Sequence, residues 1–215
     1  MHLDIELKKM FLDWKFMDKI ICLGKNYLDH AKELGEAVPE KPVLFLKPPS
    51  SAIFIENASE WTEVVLPRSK GSVHFETEIV VQLGPDYQIS AMTLGLDLTL
   101  RDLQADLKKK GHPWEISKVF LGSAIIGPWI EASRFSSYLE EKFVFVLDGQ
   151  VKQTGQGSEM RLSPQRCIQY AKEYFPLQAK DAVFTGTPAG VGPVIPGQKS
   201  ELLWGGNLIG RIHFV

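Results

Sequence analysis

The chain of 215 residues is short of several things that mark whole classes of protein. Two cysteines, Cys22 and Cys167, are too few for the disulfide framework of a small stapled domain. Cys22 lies in the apolar run Ile20-Ile21-Cys22-Leu23, so both are read as buried free thiols in a reducing compartment. Charge of one sign is not in excess. Twenty-four Lys+Arg against 26 Asp+Glu leave a net charge of -2, so no summed field draws the molecule onto phosphate backbones or anionic lipid, and nucleic acid is excluded as a partner. Long apolar runs are missing too: stretches such as 143–147 fall far short of the about 18 residues that suggest a membrane span. The first residues, MHLDIELKKMF, offer no basic leader followed by an apolar stretch, which sets the expectation of a soluble, cytoplasmic protein. Internal repeats and low-complexity tracts are also absent.

What is present is an ordinary globular composition, 44% hydrophobic and 23% charged, at a length that suits one core. Short apolar or alternating runs at 20–23, 43–47, 63–66, 73–83, 92–98, 143–147, 182–185, 202–204 and 208–214 are bounded by Gly, Pro, Asn or Asp and read as strands. Asp148-Gly149 between two such runs predicts a two-residue hairpin. Three segments read as short helices: 28–35, 99–110 with Leu100, Leu103 and Leu107 at helical spacing, and a helix opening at Ser163-Pro164. The expected class is a β-rich mixed α+β fold with few short helices. The lysines at 108–110 complement the dipole at a helix C-terminus rather than form a basic patch. Residues 1–19 form an extension with Phe11, Trp14 and Phe16, either an extra edge element or part of a dimer contact, and 20–215 form the main domain.

Chemistry concentrates in VHFETEIVV, residues 73–81. Side chains alternate along a strand, so His74, Glu76 and Glu78 share a face opposite Phe75, Thr77 and Ile79. If that face is buried, the two carboxylates need a shared proton or a cation between them; if not, it is a solvated outer face. Asp97, at the end of a strand and just before a helix, is a candidate third acid. Three carboxylates make an all-oxygen site suited to Mg²⁺ or Mn²⁺, and His74 alone is weak support for zinc. His30 and Glu33, three residues apart, would stand on one helix face as a general base and the carboxylate that orients it, or as a common surface pair. GPVIPGQKS has Gln198 where a phosphate loop needs lysine. The run Thr185 to Pro193 is either a tight turn or a set of backbone donors facing a small anion.

Taken in order, GKNYLDHAKELG, PVLFLKPPSS, VHFETEIVVQLG, GLDLTLRDLQ, KKKGHPWEISK, GPWI and VFTGTPAGVGP resemble the fumarylacetoacetate hydrolase family from residue 20 to about 210. The nearest branch is that of single-domain acylpyruvate hydrolases and oxaloacetate decarboxylases. The resemblance implies a mixed β-sandwich roll, a homodimer, and a Mg²⁺ or Mn²⁺ held by Glu76, Glu78 and Asp97. It implies a catalytic dyad of His30 and Glu33, with Lys118 as the cation facing developing negative charge. Gln104, Thr187, Arg101 and Lys47 are the implied substrate contacts. The implied reaction is hydrolysis of the C–C bond of an acylpyruvate to pyruvate and a carboxylate. Oxaloacetate decarboxylation or isomerisation of an unsaturated 2-oxo acid is the alternative. Leu121 and Ile125 stand where the family usually has Asp and Pro after Lys118, Lys25 where arginine is usual, and Gly157-Ser158-Glu159-Met160 where T-S-D-M is usual. The changes at Leu121 and Ile125 keep open a reading of another class, a non-catalytic 2-oxo acid binding protein.

Overall fold

Runs rich in Ile, Val, Phe and Leu become strands because branched and aromatic side chains pack well on a pleated surface. The computed structural model describes residues 17–27, 41–68, 70–134, 137 and 139–215. The first strands are β1 (Ile20–Gly24), β2 (Val43–Lys47), β3 (Ala52–Phe54), β4 (Trp61–Val64), β5 (Val73–Phe75), β6 (Thr77–Leu83), β7 (Ile89–Asp97) and β8 (Thr99–Leu100). Helix α1 (Arg101–Lys109) follows β8 directly, and β9 (Ala124–Ile126) and β10 (Ile130–Glu131) come next. Beyond them lie the hairpin β11 (Lys142–Leu147) and β12 (Gln150–Gln156), helix α2 (Pro164–Lys172), β13 (Ala182–Phe184), β14 (Gly192–Val194), β15 (Lys199–Trp204) and β16 (Asn207–Phe214). The fold is mixed α+β and strand-rich, with two α-helices among the described residues. No helix among them is long and apolar enough to cross a membrane.

The large sheet runs β2-β1-β13-β6-β7-β9-β3, with β10 paired to β7. Both of its faces are covered: Ile79, Val81 and Leu83 of β6 enter the main core, while Val80 packs on the other side with Ile20, Cys22, Phe45 and Phe184. A strand buried on both faces reads as a nearly continuous apolar run, which is how β6 appears in the sequence. The second sheet, β12-β11-β15-β16-β4, turns one face to the main core. Phe143, Phe145, Leu202, Trp204 and Ile212 point into the main core and alternate with partly exposed residues. The two layers bury one another's apolar faces.

A third sheet, β14-β5-β8, closes one end and accounts for two departures from the expected elements. The strand expected over 73–83 breaks at Glu76, because β5 leaves the large sheet to pair Phe75 with Gly192 and Val73 with Leu100. The helix expected from 99 starts at Arg101 for the same reason: Thr99 and Leu100 are held as β8. The hairpin turn forms at Asp148-Gly149, both with positive φ (48° and 75°). The 28–35 helix and Phe11, Trp14 and Phe16 lie outside the described residues. Cys22 and Cys167 are buried free thiols.

Candidate active site

Glu76 sits at the break between β5 and β6, Glu78 on β6, and Asp97 ends β7. The register pairs Glu78 with Gly95, so Asp97, two residues farther along the same face, arrives beside Glu76. The Asp97 N–H donates to the Glu76 carbonyl at 2.9 Å. One carboxylate oxygen from each of the three acids lies within 4.8 Å of the others, and all three residues are buried. His74 does not join them; burial and then Arg101 hold its pKa below the usual histidine value.

The three acids have unequal partners. Glu76 Oε1 accepts from Arg101 Nη2 at 2.5 Å and from Thr99 Oγ1 at 3.1 Å, and its Oε2 accepts from Lys118 Nζ at 2.9 Å. Asp97 Oδ2 accepts from Lys118 Nζ at 2.6 Å. Burial by itself lowers the Lys118 pKa, but Asp97 and Glu76 outweigh it and hold the ammonium above the usual lysine range. Among the described residues Glu78 accepts a hydrogen bond from the Gly186 N–H, at 2.5 Å to Oε2, and is in no ion pair. Burial, Asp97 and Glu76 therefore push its carboxyl well above the usual range. The 185–193 loop does present a backbone donor to an anion, and the anion is this internal carboxylate. Three oxygen-only ligands, one of them in no ion pair among the described residues, fit a hard divalent ion such as Mg²⁺ or Mn²⁺.

A cleft of about 300 Å³ opens over the cluster. Glu76, Glu78, Asp97, Arg101, Gln104, Lys118 and Thr187 line it, together with Lys25, Lys108, Phe45 and Trp114. The Lys118 ammonium lies 5.0 Å from the centre of the Phe45 ring, a cation–π contact. Arg101 Nη1 donates to Gln104 Oε1 at 2.8 Å, and Thr187 Oγ1 accepts from Gln153 Nε2 at 2.8 Å. Of the residues singled out from the sequence, Glu76, Glu78, Asp97, Lys118, Arg101, Gln104 and Thr187 thus converge on one cavity. His30 and Glu33 lie outside the described residues.

Lys47 takes a different position from the other implied substrate contacts. Its ammonium is buried beneath the cluster, where it donates to the carbonyls of Leu98 (3.3 Å), Ser123 (2.9 Å) and Lys118. It stands 2.8 Å from Asp97 Oδ1, a buried ion pair beneath the cluster. Leu121 is 71% exposed in a turn and Ile125 is in the core on β9, so neither of these departures alters the cleft lining. Among the features the sequence reading missed is Lys108, which lines the cleft beside Trp114, with its Nζ 5.9 Å from that ring.

Residues 19–210 match the family model described as "Fumarylacetoacetate (FAA) hydrolase C-terminal". The oxaloacetate tautomerase YcgM of Escherichia coli is 35% identical over 202 residues, covering 89% of this chain and 90% of that protein. The mitochondrial oxaloacetate decarboxylase of Dictyostelium discoideum is 35% identical over 196 residues, covering 86% and 88%. The crystal structure of fumarylpyruvate hydrolase from Pseudomonas aeruginosa in complex with Mn²⁺ and pyruvate superposes with a TM-score of 0.85 at 31% identity, covering 93% of this chain and 90% of that one.

Proposed function

The chain belongs to the fumarylacetoacetate hydrolase family of enzymes, and from that premise we propose that it acts on small 2-oxo acids through a pyruvate-type enolate. One observation carries the reading: three buried carboxylates and the Lys118 ammonium meet at the floor of a cleft whose walls carry further cations and amide and hydroxyl groups. Glu76, Glu78 and Asp97 are the proposed ligands of a Mg²⁺ or Mn²⁺, which when bound supplies Lewis-acid polarisation of a 2-oxo group.

The chain's own groups divide the remaining work. Arg101 and Thr99 fix Glu76, Gly186 fixes Glu78, and Lys47 holds Asp97 from below. Lys118 places a positive charge where an enolate oxygen develops negative charge. Gln104 and Thr187 orient the substrate carboxylate, which keeps the reacting carbon in place. His30, oriented by Glu33, is the proposed base that takes a proton from water. The water attacks the distal carbonyl of an acylpyruvate, the C–C bond breaks, and its electrons pass to the pyruvate half as the enolate.

The Escherichia coli and Dictyostelium relatives favour a second reading at the same site, tautomerisation or decarboxylation of oxaloacetate. Loss of CO₂ leaves the same enolate and needs no attacking water. The test is turnover of acetylpyruvate, fumarylpyruvate and oxaloacetate with Mg²⁺, followed by pyruvate release and by enol absorbance. At least one substrate is expected to turn over, and chelator is expected to abolish it. Turnover of none of them, or full activity after metal is stripped, contradicts the reading.

A further inference from the structure

A hydroxyl and a primary amide each carry both donors and acceptors, so Thr187 could in principle offer either to a ligand. Its surroundings remove that choice. Gln153 on β12 is buried, and its Oε1 accepts the backbone N–H of Thr77, the residue between Glu76 and Glu78, at 2.9 Å. A backbone N–H only donates, so the amide oxygen must face Thr77. The NH₂ must then face the 185–193 loop, where it donates to Thr187 Oγ1 at 2.8 Å and to the Pro188 carbonyl at 2.9 Å. A carbonyl only accepts, so the Pro188 contact requires the same amide orientation.

Thr187 therefore receives a hydrogen bond and keeps its own proton to give. Pro188 O, its acceptor within the protein, is distant at 3.5 Å and already served by Gln153. Thr187 lines the cleft, so that proton is available to an acceptor on a ligand bound there. The same logic holds at Gln104: the Arg101 guanidinium only donates, so Gln104 Oε1 faces it and the NH₂ is left as a donor. Two glycines make the Gln153 bridge possible by letting β12 and the loop approach closely. A Cβ at Gly155 would overlap Phe143 and Pro188, and one at Gly190 would overlap the Lys152 carbonyl.

We propose that Gln153 is a positioning residue that fixes Thr187 as a hydrogen-bond donor, so that this wall of the cleft selects the carboxylate of a 2-oxo acid. The inference rests on the 2-oxo acid reading above and adds how the site recognises the anionic end of its substrate. The test is a double-mutant cycle on Mg²⁺-loaded protein, with calorimetric affinity for oxalate, a planar dianion resembling the pyruvate enolate, as the readout. Thr187→Val is expected to weaken oxalate about tenfold or more, the value of a hydrogen bond to a charged group. Gln153→Met is expected to weaken it several-fold in the native background and less than about twofold in the Thr187→Val background. A purely structural role lowers affinity equally in both backgrounds. That result, or native affinity in Gln153→Met, overturns the proposal. If Gln153→Met does not fold, Gln153→Glu serves, because its carboxylate takes the Thr187 proton for itself. Its affinity should then fall to the Thr187→Val level, and native affinity in that variant overturns the proposal. Absence of oxalate binding by the unmodified protein overturns the 2-oxo acid reading and this inference with it. Native binding that is insensitive to Gln153 overturns the inference alone.

Discussion

Glu76, Glu78 and Asp97 share a buried cluster but not an electrostatic environment. Glu76 faces Arg101 and Lys118, and Asp97 faces Lys118 and Lys47, so burial of those charges is offset by ion pairs. Glu78 has one backbone donor and a raised pKa, which makes it the acid that a divalent cation relieves most. Residue roles in the two candidate reactions then separate experimentally. Hydrolysis needs a base for water, so His30→Ala should slow acylpyruvate hydrolysis about 10²-fold or more and leave metal affinity unchanged. Lys118→Ala should slow hydrolysis and decarboxylation alike, by about 10²–10³-fold in kcat, because both pass through the enolate. Steady-state rates of the two variants on both substrates check this. Hydrolysis by His30→Ala at the native rate would remove the dyad from the mechanism.

At the scale of the element, the β6–β7 pairing sets the cluster, and its register is strict because a one-residue slip would turn Asp97 to the opposite face. Gly95 makes that pairing possible. A Cβ there would lie 2.5 Å from the Ile125 carbonyl oxygen and 2.8 Å from Val80 Cγ2. Gly95→Ala should therefore destabilise the protein by about 1–3 kcal/mol in urea unfolding, the usual cost of overpacking. An unchanged midpoint would contradict the close packing of β6, β7 and β9. Much of this region was legible in the sequence, since period-two alternation puts Glu76 and Glu78 on one side and Asp97 stands at a strand–helix junction. The Asp148-Gly149 hairpin was legible because its dipeptide supplies the positive φ that the turn demands. The break at Glu76 was not, because β5 is a three-residue strand whose partners, β8 and β14, come from distant sequence. Gln153 and the buried position of Lys47 were hidden for the same reason: their hydrogen-bond partners are set by tertiary packing, and no local pattern announces them. Lys108 read as a helix-dipole lysine, and only the position of Trp114 across from α1 shows that it also lines the cleft.

For the molecule as a whole, the cleft is lined by residues from β1, β2, β6, β7, α1 and the 185–193 loop, so the site forms only when segments far apart in sequence come together. We further propose that the protein is a homodimer, as first inferred from the resemblance and from Phe11, Trp14 and Phe16. Light scattering at micromolar concentration should give twice the 24.1 kDa chain mass, and a monomer contradicts the proposal. The central claim is that Glu76, Glu78 and Asp97 form a divalent-metal site, and calorimetric titration of metal-free protein with Mn²⁺ tests it most directly. The native protein should bind one ion per chain, and Glu78→Gln should weaken that binding beyond the about 10–100-fold that loss of an outer-shell partner costs. Absence of Mn²⁺ binding, or undiminished binding in Glu78→Gln, contradicts the account.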